Sequence, residues 1–136
     1  MKGNVLVIDP DLALLKQIKY ALSGDKYAVY CDRHFENTAT VLQRKEIDIL
    51  IIDISQPCED IVGLIAQAQI LRPMINIIII GEELKSHFNS LVKLFRMCPF
   101  AALTKPFSNS ELQEVVDNSF NRLVTASEHI TLKTLM

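Results

Sequence analysis

The sequence predicts an α/β fold: a five-stranded parallel sheet, doubly wound, with five helices. Three observations carry that reading. Short apolar runs alternate with amphipathic stretches along the whole chain. Three of the runs are continuously apolar, which signals strands buried on both faces under helices. The 136 residues suit one domain with a real core.

The elements follow in order. Val5–Asp9 (VLVID) is the first strand, and Leu15, Ile18 and Leu22 share one face of the helix after it. Tyr27–Cys31 (YAVYC) is the second strand, and a weaker helical period covers Phe35 to Lys45. Ile49–Asp53 (ILIID) is the third strand, followed by a helix whose face carries Ile61, Leu64, Ile65 and Ala68. Asn76–Ile80 (NIIII) is the fourth. Its helix presents Leu84, Phe88, Leu91, Val92 and Phe95. Phe100–Thr104 (FAALT) is the fifth, and Leu112, Val115, Val116, Phe120 and Leu123 line the last helix. Ser108 and Glu111 have capping-box spacing and mark that helix's start. Pro73 and Pro99 fall between helix and strand, where helix breakers belong. Right-handed crossovers leave few ways to arrange five such units.

Composition narrows the function. Apolar residues are 49%, charged residues 22%, and the formal net charge is -2. There is no basic stripe for nucleic acid and no acidic tail. The apolar run near the N-terminus is too short for a secretory signal, and no run approaches the roughly 20 residues of a membrane span. The three cysteines, Cys31, Cys58 and Cys98, lack metal-site spacing, so incidental thiols in a cytoplasmic protein are expected. His34, His87 and His129 are not spaced as metal ligands and read as surface residues.

In open α/β sheets, sites form where strands end. Asp9, Pro10 and Asp11 follow the first strand; Asp53 ends the third. Gly81, Glu82 and Glu83 follow the fourth, and Thr104, Lys105 and Pro106 close the fifth. Central strands would gather Asp9, Asp53 and Lys105 on one rim. Two close carboxylates suit a hard divalent cation such as Mg²⁺. An aspartate oxygen can then attack a phosphoryl group, and a lysine can pair with the phosphoryl oxygens. A nucleotide- or flavin-binding scaffold is a weaker alternative. The stretch DPDLAL has no glycine and two acids that repel phosphate.

These residues resemble a response-regulator receiver domain of two-component signalling. VLVIDPD resembles that family's first strand and its acidic end. DILIIDISQP resembles the third strand, with the phosphoacceptor aspartate and a proline four residues on. LTKPF resembles the end of the fifth, with its lysine and a usually cis Lys-Pro bond. The likeness runs from about Asn4 to Leu123. It implies the flavodoxin-like strand order 2-1-3-4-5, phosphorylation of Asp53, and a phosphoryl contact from Lys105. It implies Mg²⁺ held by Asp9, Asp53 and the main-chain carbonyl of Ser55, with Asp11 either joining through water or only capping the helix.

The implied partners are a histidine kinase or phosphotransfer protein, and a downstream protein or fused effector domain, with a homodimer possible. Binding to nucleic acid or membrane by this domain is not expected. The domain is regulatory rather than an enzyme, beyond self-catalysed phosphotransfer to and hydrolysis from Asp53. Residues 1–123 form the receiver-like unit; 124–136 extend the last helix or begin a linker.

Three positions depart from the family pattern. Pro10 stands where a second acid is usual, so weak metal binding is expected. Gly81 stands where a Ser or Thr hydroxyl is usual, and Ala102 where an aromatic is usual. Phe100 shares the face of Ala102 and is expected in the core. The departures support a second reading: a degenerate receiver acting as a phosphorylation-independent interaction module.

Overall fold

A computed structural model describes residues 3–24, 26–54, 58–98 and 100–125. Five parallel strands form one sheet in the order β2-β1-β3-β4-β5. They are β1 (Gly3–Ile8), β2 (Tyr27–Asp32), β3 (Ile49–Asp53), β4 (Asn76–Gly81) and β5 (Phe100–Thr104). The helices are α1 (Leu12–Leu22), α2 (Thr38–Arg44), α3 (Cys58–Leu71), α4 (Phe88–Met97) and α5 (Asn109–Thr125). The strand order and helix count match the expectation.

Strand alternation divides the core into two layers. Leu6, Ile8, Leu50, Ile52, Ile77, Ile79, Phe100 and Ala102 face α2, α3 and α4. Val5, Val7, Ile49, Ile51, Ile78, Ile80, Ala101 and Leu103 face α1 and α5. Residues of β3 are thus apolar at consecutive positions because both faces are covered. Phe100 is a core residue, stacked edge-to-face on Phe95 with ring centres 5.7 Å apart.

Local signals place the helix ends. Asp11 caps α1: its Oδ1 accepts from the backbone N–H of Ala13 at 2.9 Å and of Leu14 at 3.4 Å. The capping box is present. Glu111 N–H donates to Ser108 Oγ at 3.1 Å, and Ser108 N–H donates to Glu111 Oε1 at 3.0 Å.

Two helix faces differ from the sequence reading. Leu84 lies in a 3-10 turn, Leu84–His87, rather than in α4. That turn winds at three residues per revolution. A 3.6-residue period counted from Leu84 therefore falls out of phase, and Leu91, Leu94 and Cys98 are buried while Val92 and Phe95 are only partly so. On α5 the buried stripe is Leu112, Val116 and Ser119. Ser119 is small enough to let the helix approach β4, and its carbonyl accepts from Asn76 Nδ2. The side chains of Phe88 and Leu123, and Pro99, Ser55, Pro57, His129 and residues 126–136, lie outside what is described.

At the opposite end of the sheet from the acids, the Tyr27 hydroxyl donates to Asp117 Oδ1 on α5, and Lys26 Nζ sits 3.3 Å from Asp117 Oδ2. Burial, then the hydrogen bond and charge of Asp117, push the Tyr27 hydroxyl well above its ordinary value of 10.0. The folded state thus keeps a proton that the unfolded state loses. The tie is fully present below about pH 10 and is lost as pH rises further. Tyr27→Phe should lower stability by about 1 kcal/mol at neutral pH. It should also flatten the alkaline fall, which urea melts from pH 7 to 11 would read.

Candidate functional site

Parallel pairing sets the acids side by side. Ile8 pairs with Ile52, so Asp9 follows β1 beside the position where Asp53 ends β3. Lys105 comes from the edge strand, two strands from Asp53. The Lys105 N–H donates to the Gly81 carbonyl at 2.8 Å, which carries the β4–β5 ladder one residue past Thr104. The Lys105–Pro106 bond is cis.

The result is a cation between two acids. Lys105 Nζ lies 2.6 Å from Asp9 Oδ2 and 2.8 Å from Asp53 Oδ1. The Asp9 side chain is 0% exposed and that of Asp53 9%. Asp9 Oδ1 accepts from the Asp11 N–H at 2.8 Å, so both Asp9 oxygens are engaged. Burial lowers the Lys105 affinity for its proton, but hydrogen bonds and charge from Asp53 and Asp9 outweigh it and leave the ammonium's pKa raised. A charged lysine is what makes two nearly dry carboxylates tolerable here.

Three of the sequence candidates therefore meet: Asp9, Asp53 and Lys105. Asp11 does not join them, since its Oδ1 caps α1. Ser55 lies outside the described residues, so its carbonyl is not placed. Pro10 is exposed, and its carbonyl accepts from Arg33 Nε at 3.3 Å. Glu82 and Glu83 are exposed, and Glu83 adopts φ +47°, a left-handed conformation uncommon for a side chain of its kind. Among the described residues no group of three or more His, Cys, Asp or Glu is placed to hold a metal.

Sequence reasoning missed Ile54. A Cβ at Gly81 would lie 2.5 Å from Ile54 Cγ2 and 3.2 Å from Leu84 Cδ2. Ile54 is buried, with its N–H donating to the Ile80 carbonyl at 2.9 Å. The place that a hydroxyl-bearing side chain would take at the end of β4 is filled by this isoleucine. Gly81 is thus more than a missing hydroxyl. The only signal was a β-branched residue directly after Asp53.

Comparison with known proteins extends the sequence resemblance to the fold. No family model matches the chain. Over 126 residues, 93% of this chain and 28% of the relative, it is 25% identical to the transcriptional regulatory protein GlrR of Escherichia coli (strain K12). Over 123 residues, 88% of this chain and 25% of the relative, it is 30% identical to the DNA-binding transcriptional regulator NtrC of the same strain. The chain thus spans about a quarter of the length of these relatives. A CheY-like response regulator receiver domain protein from Methanospirillum hungatei JF-1 superposes with TM-score 0.77 at 21% identity, covering 92% of this chain and 98% of that one. The chain has the receiver fold, and its sequence resembles response regulators over most of its length.

Proposed function

We propose that this chain, receiver-like in sequence and fold, accepts a phosphoryl group on Asp53 from a histidine kinase or phosphotransfer protein. The observation that supports this best is Lys105 bridging Asp9 and Asp53. An Asp53 oxygen attacks the phosphorus of the donor, forming a P–O bond as the donor's P–N bond breaks. Lys105 exchanges a carboxylate for the new phosphoryl oxygens as a point-charge partner. Asp9 keeps the ammonium oriented.

Asp9 and Asp53 also fit Mg²⁺, being hard oxygen donors gathered at one rim, and Mg²⁺ keeps several waters where protein ligands are few. With Pro10 in the place of a second acid after β1, binding is weak. When bound, the ion neutralises charge on the carboxylates and the phosphoryl oxygens.

We take residues 1–123 as the receiver-like unit and 124–136 as a C-terminal helix extension or the start of a linker. The setting is cytoplasmic; no described helix is long and apolar enough to cross a membrane. The relatives are named as transcriptional regulators. By that likeness the output goes to a fused effector or a downstream protein, through the face of α4 and β5, which also suits a homodimer.

Acetyl phosphate with Mg²⁺ should add one phosphoryl mass to the wild type and none to Asp53→Asn, read by intact mass spectrometry. An unlabelled wild type, under conditions that label an ordinary receiver, ends this reading. A second reading, an interaction module independent of phosphate, is favoured by one observation: Ile54 fills the space beside Gly81. It expects partner binding to survive Asp53→Ala.

A further inference from the structure

A groove of about 470 Å³ lies between α1 and the end of β2, on the side of α1 away from α5. Leu12 and Leu15 give it an apolar lining, and Leu12 is 47% exposed, one of few large apolar side chains so open to water among the described residues. Lys16 and Lys19 on α1, and Arg33 after β2, supply its charge, and His34 lines it beside them. Leu12, Lys16 and Lys19 follow at i, i+4 and i+7 and form one stripe along two helical turns.

The sign of this groove opposes that of the molecule. Three permanent cations line it in a chain of formal net charge -2. The one carboxylate in its lining, Asp32, is turned to its own loop. It accepts from the His34 N–H at 2.8 Å and from Asn37 Nδ2 at 3.1 Å. His34 Nδ1 lies 3.9 Å from Glu36 Oε1. Arg33 Nε donates to the Pro10 carbonyl at 3.3 Å.

We propose that this groove docks an acidic protein segment carrying a leucine-type anchor. The anchor covers Leu12 and Leu15, and the segment's carboxylates meet Lys16, Lys19 and Arg33. A cationic wall over an apolar floor selects for both features together. Nucleic acid has no use for the exposed leucine, and the chain lacks the overall positive charge that goes with it.

The test uses the full ¹⁵N-labelled chain and a synthetic peptide of glutamate pairs alternating with leucine, without Mg²⁺ or acetyl phosphate. Its outcome is therefore separate from the fate of the Asp53 reading. Chemical shifts should move within residues 12–19 and 31–37. Binding should weaken with added salt. Lys19→Glu/Arg33→Glu should weaken it on the order of tenfold, while Lys93→Glu on α4 leaves it unchanged. If the double variant fails to fold by its own spectrum, Lys19→Glu alone, at an exposed site, carries the comparison. The proposal is overturned by shifts elsewhere or by none at millimolar peptide. Equal binding of a lysine-for-glutamate peptide, or tighter binding of a duplex oligonucleotide, also overturns it.

Discussion

Lys105→Met should lower the stability of the folded chain by about 2–4 kcal/mol at neutral pH, and should abolish the proposed phosphoryl transfer to Asp53. The reason is local. Asp9 is fully buried and Asp53 nearly so, and both hydrogen-bond the same ammonium. Methionine keeps the length of the stem and removes the charge, so two carboxylates are left facing each other. The estimate sits at the lower part of the range for a broken buried pair because the Lys105 side chain is 17% exposed and water can enter. Added Mg²⁺ should narrow the deficit, since a hard divalent cation takes the place of the lost positive charge.

The alkaline limb gives an independent sign. The folded-state pKa of Lys105 is raised above its ordinary value of 10.5, so its contribution is fully present below that pH. It is lost only as pH rises through the higher folded value. The wild type should therefore lose this part of its stability above about pH 10.5, and the variant should not. A variant as stable as the wild type from pH 5 to 9 would show that the bridge stabilises nothing.

Much of this arrangement is legible in the sequence because it depends on strand ends. Continuously apolar runs such as ILIID reveal strands covered on both faces, and the residue at the end of each run then belongs to the rim. Asp9, Asp53 and Lys105 follow from that rule. What the rule omits is lateral. Lys105 follows an edge strand two strands from Asp53, and no single strand's periodicity encodes a side chain that reaches across β4 to the acids. The Ile54–Gly81 contact needs the register of two strands: Asp53 pairs with Ile80, which sets Ile54 against Gly81. In a single strand's pattern, Ile54 is one more apolar residue. The phase of α4 was lost for a comparable reason, since a 3-10 turn shifts the angle at which the helix begins.

Gly81→Thr should destabilise the chain by about 1–3 kcal/mol, and most of that cost should vanish when Ile54 is alanine. The added Cβ would stand 2.5 Å from Ile54 Cγ2 and 3.6 Å from its Cβ. The obstacle is therefore a branched carbon next to the backbone rather than the far end of a flexible side chain. Ile54 cannot yield by a terminal rotation; it must change χ1 or shift with β3. Ile54→Ala alone should cost about 2 kcal/mol, since a buried group leaves a hole beside Leu84. In the double variant the threonine partly fills that hole, so the two costs do not add. A coupling of about 1–2 kcal/mol is expected from urea melts of the four proteins. Equal cost of Gly81→Thr in both backgrounds would mean that Ile54 is not the obstacle. The result bears on the proposed phosphoryl site as well. A hydroxyl at position 81 is compatible with this fold only after Ile54 is reduced. Restoring a Ser or Thr there without touching Ile54 should therefore disturb the end of β4 before it could serve any phosphate on Asp53.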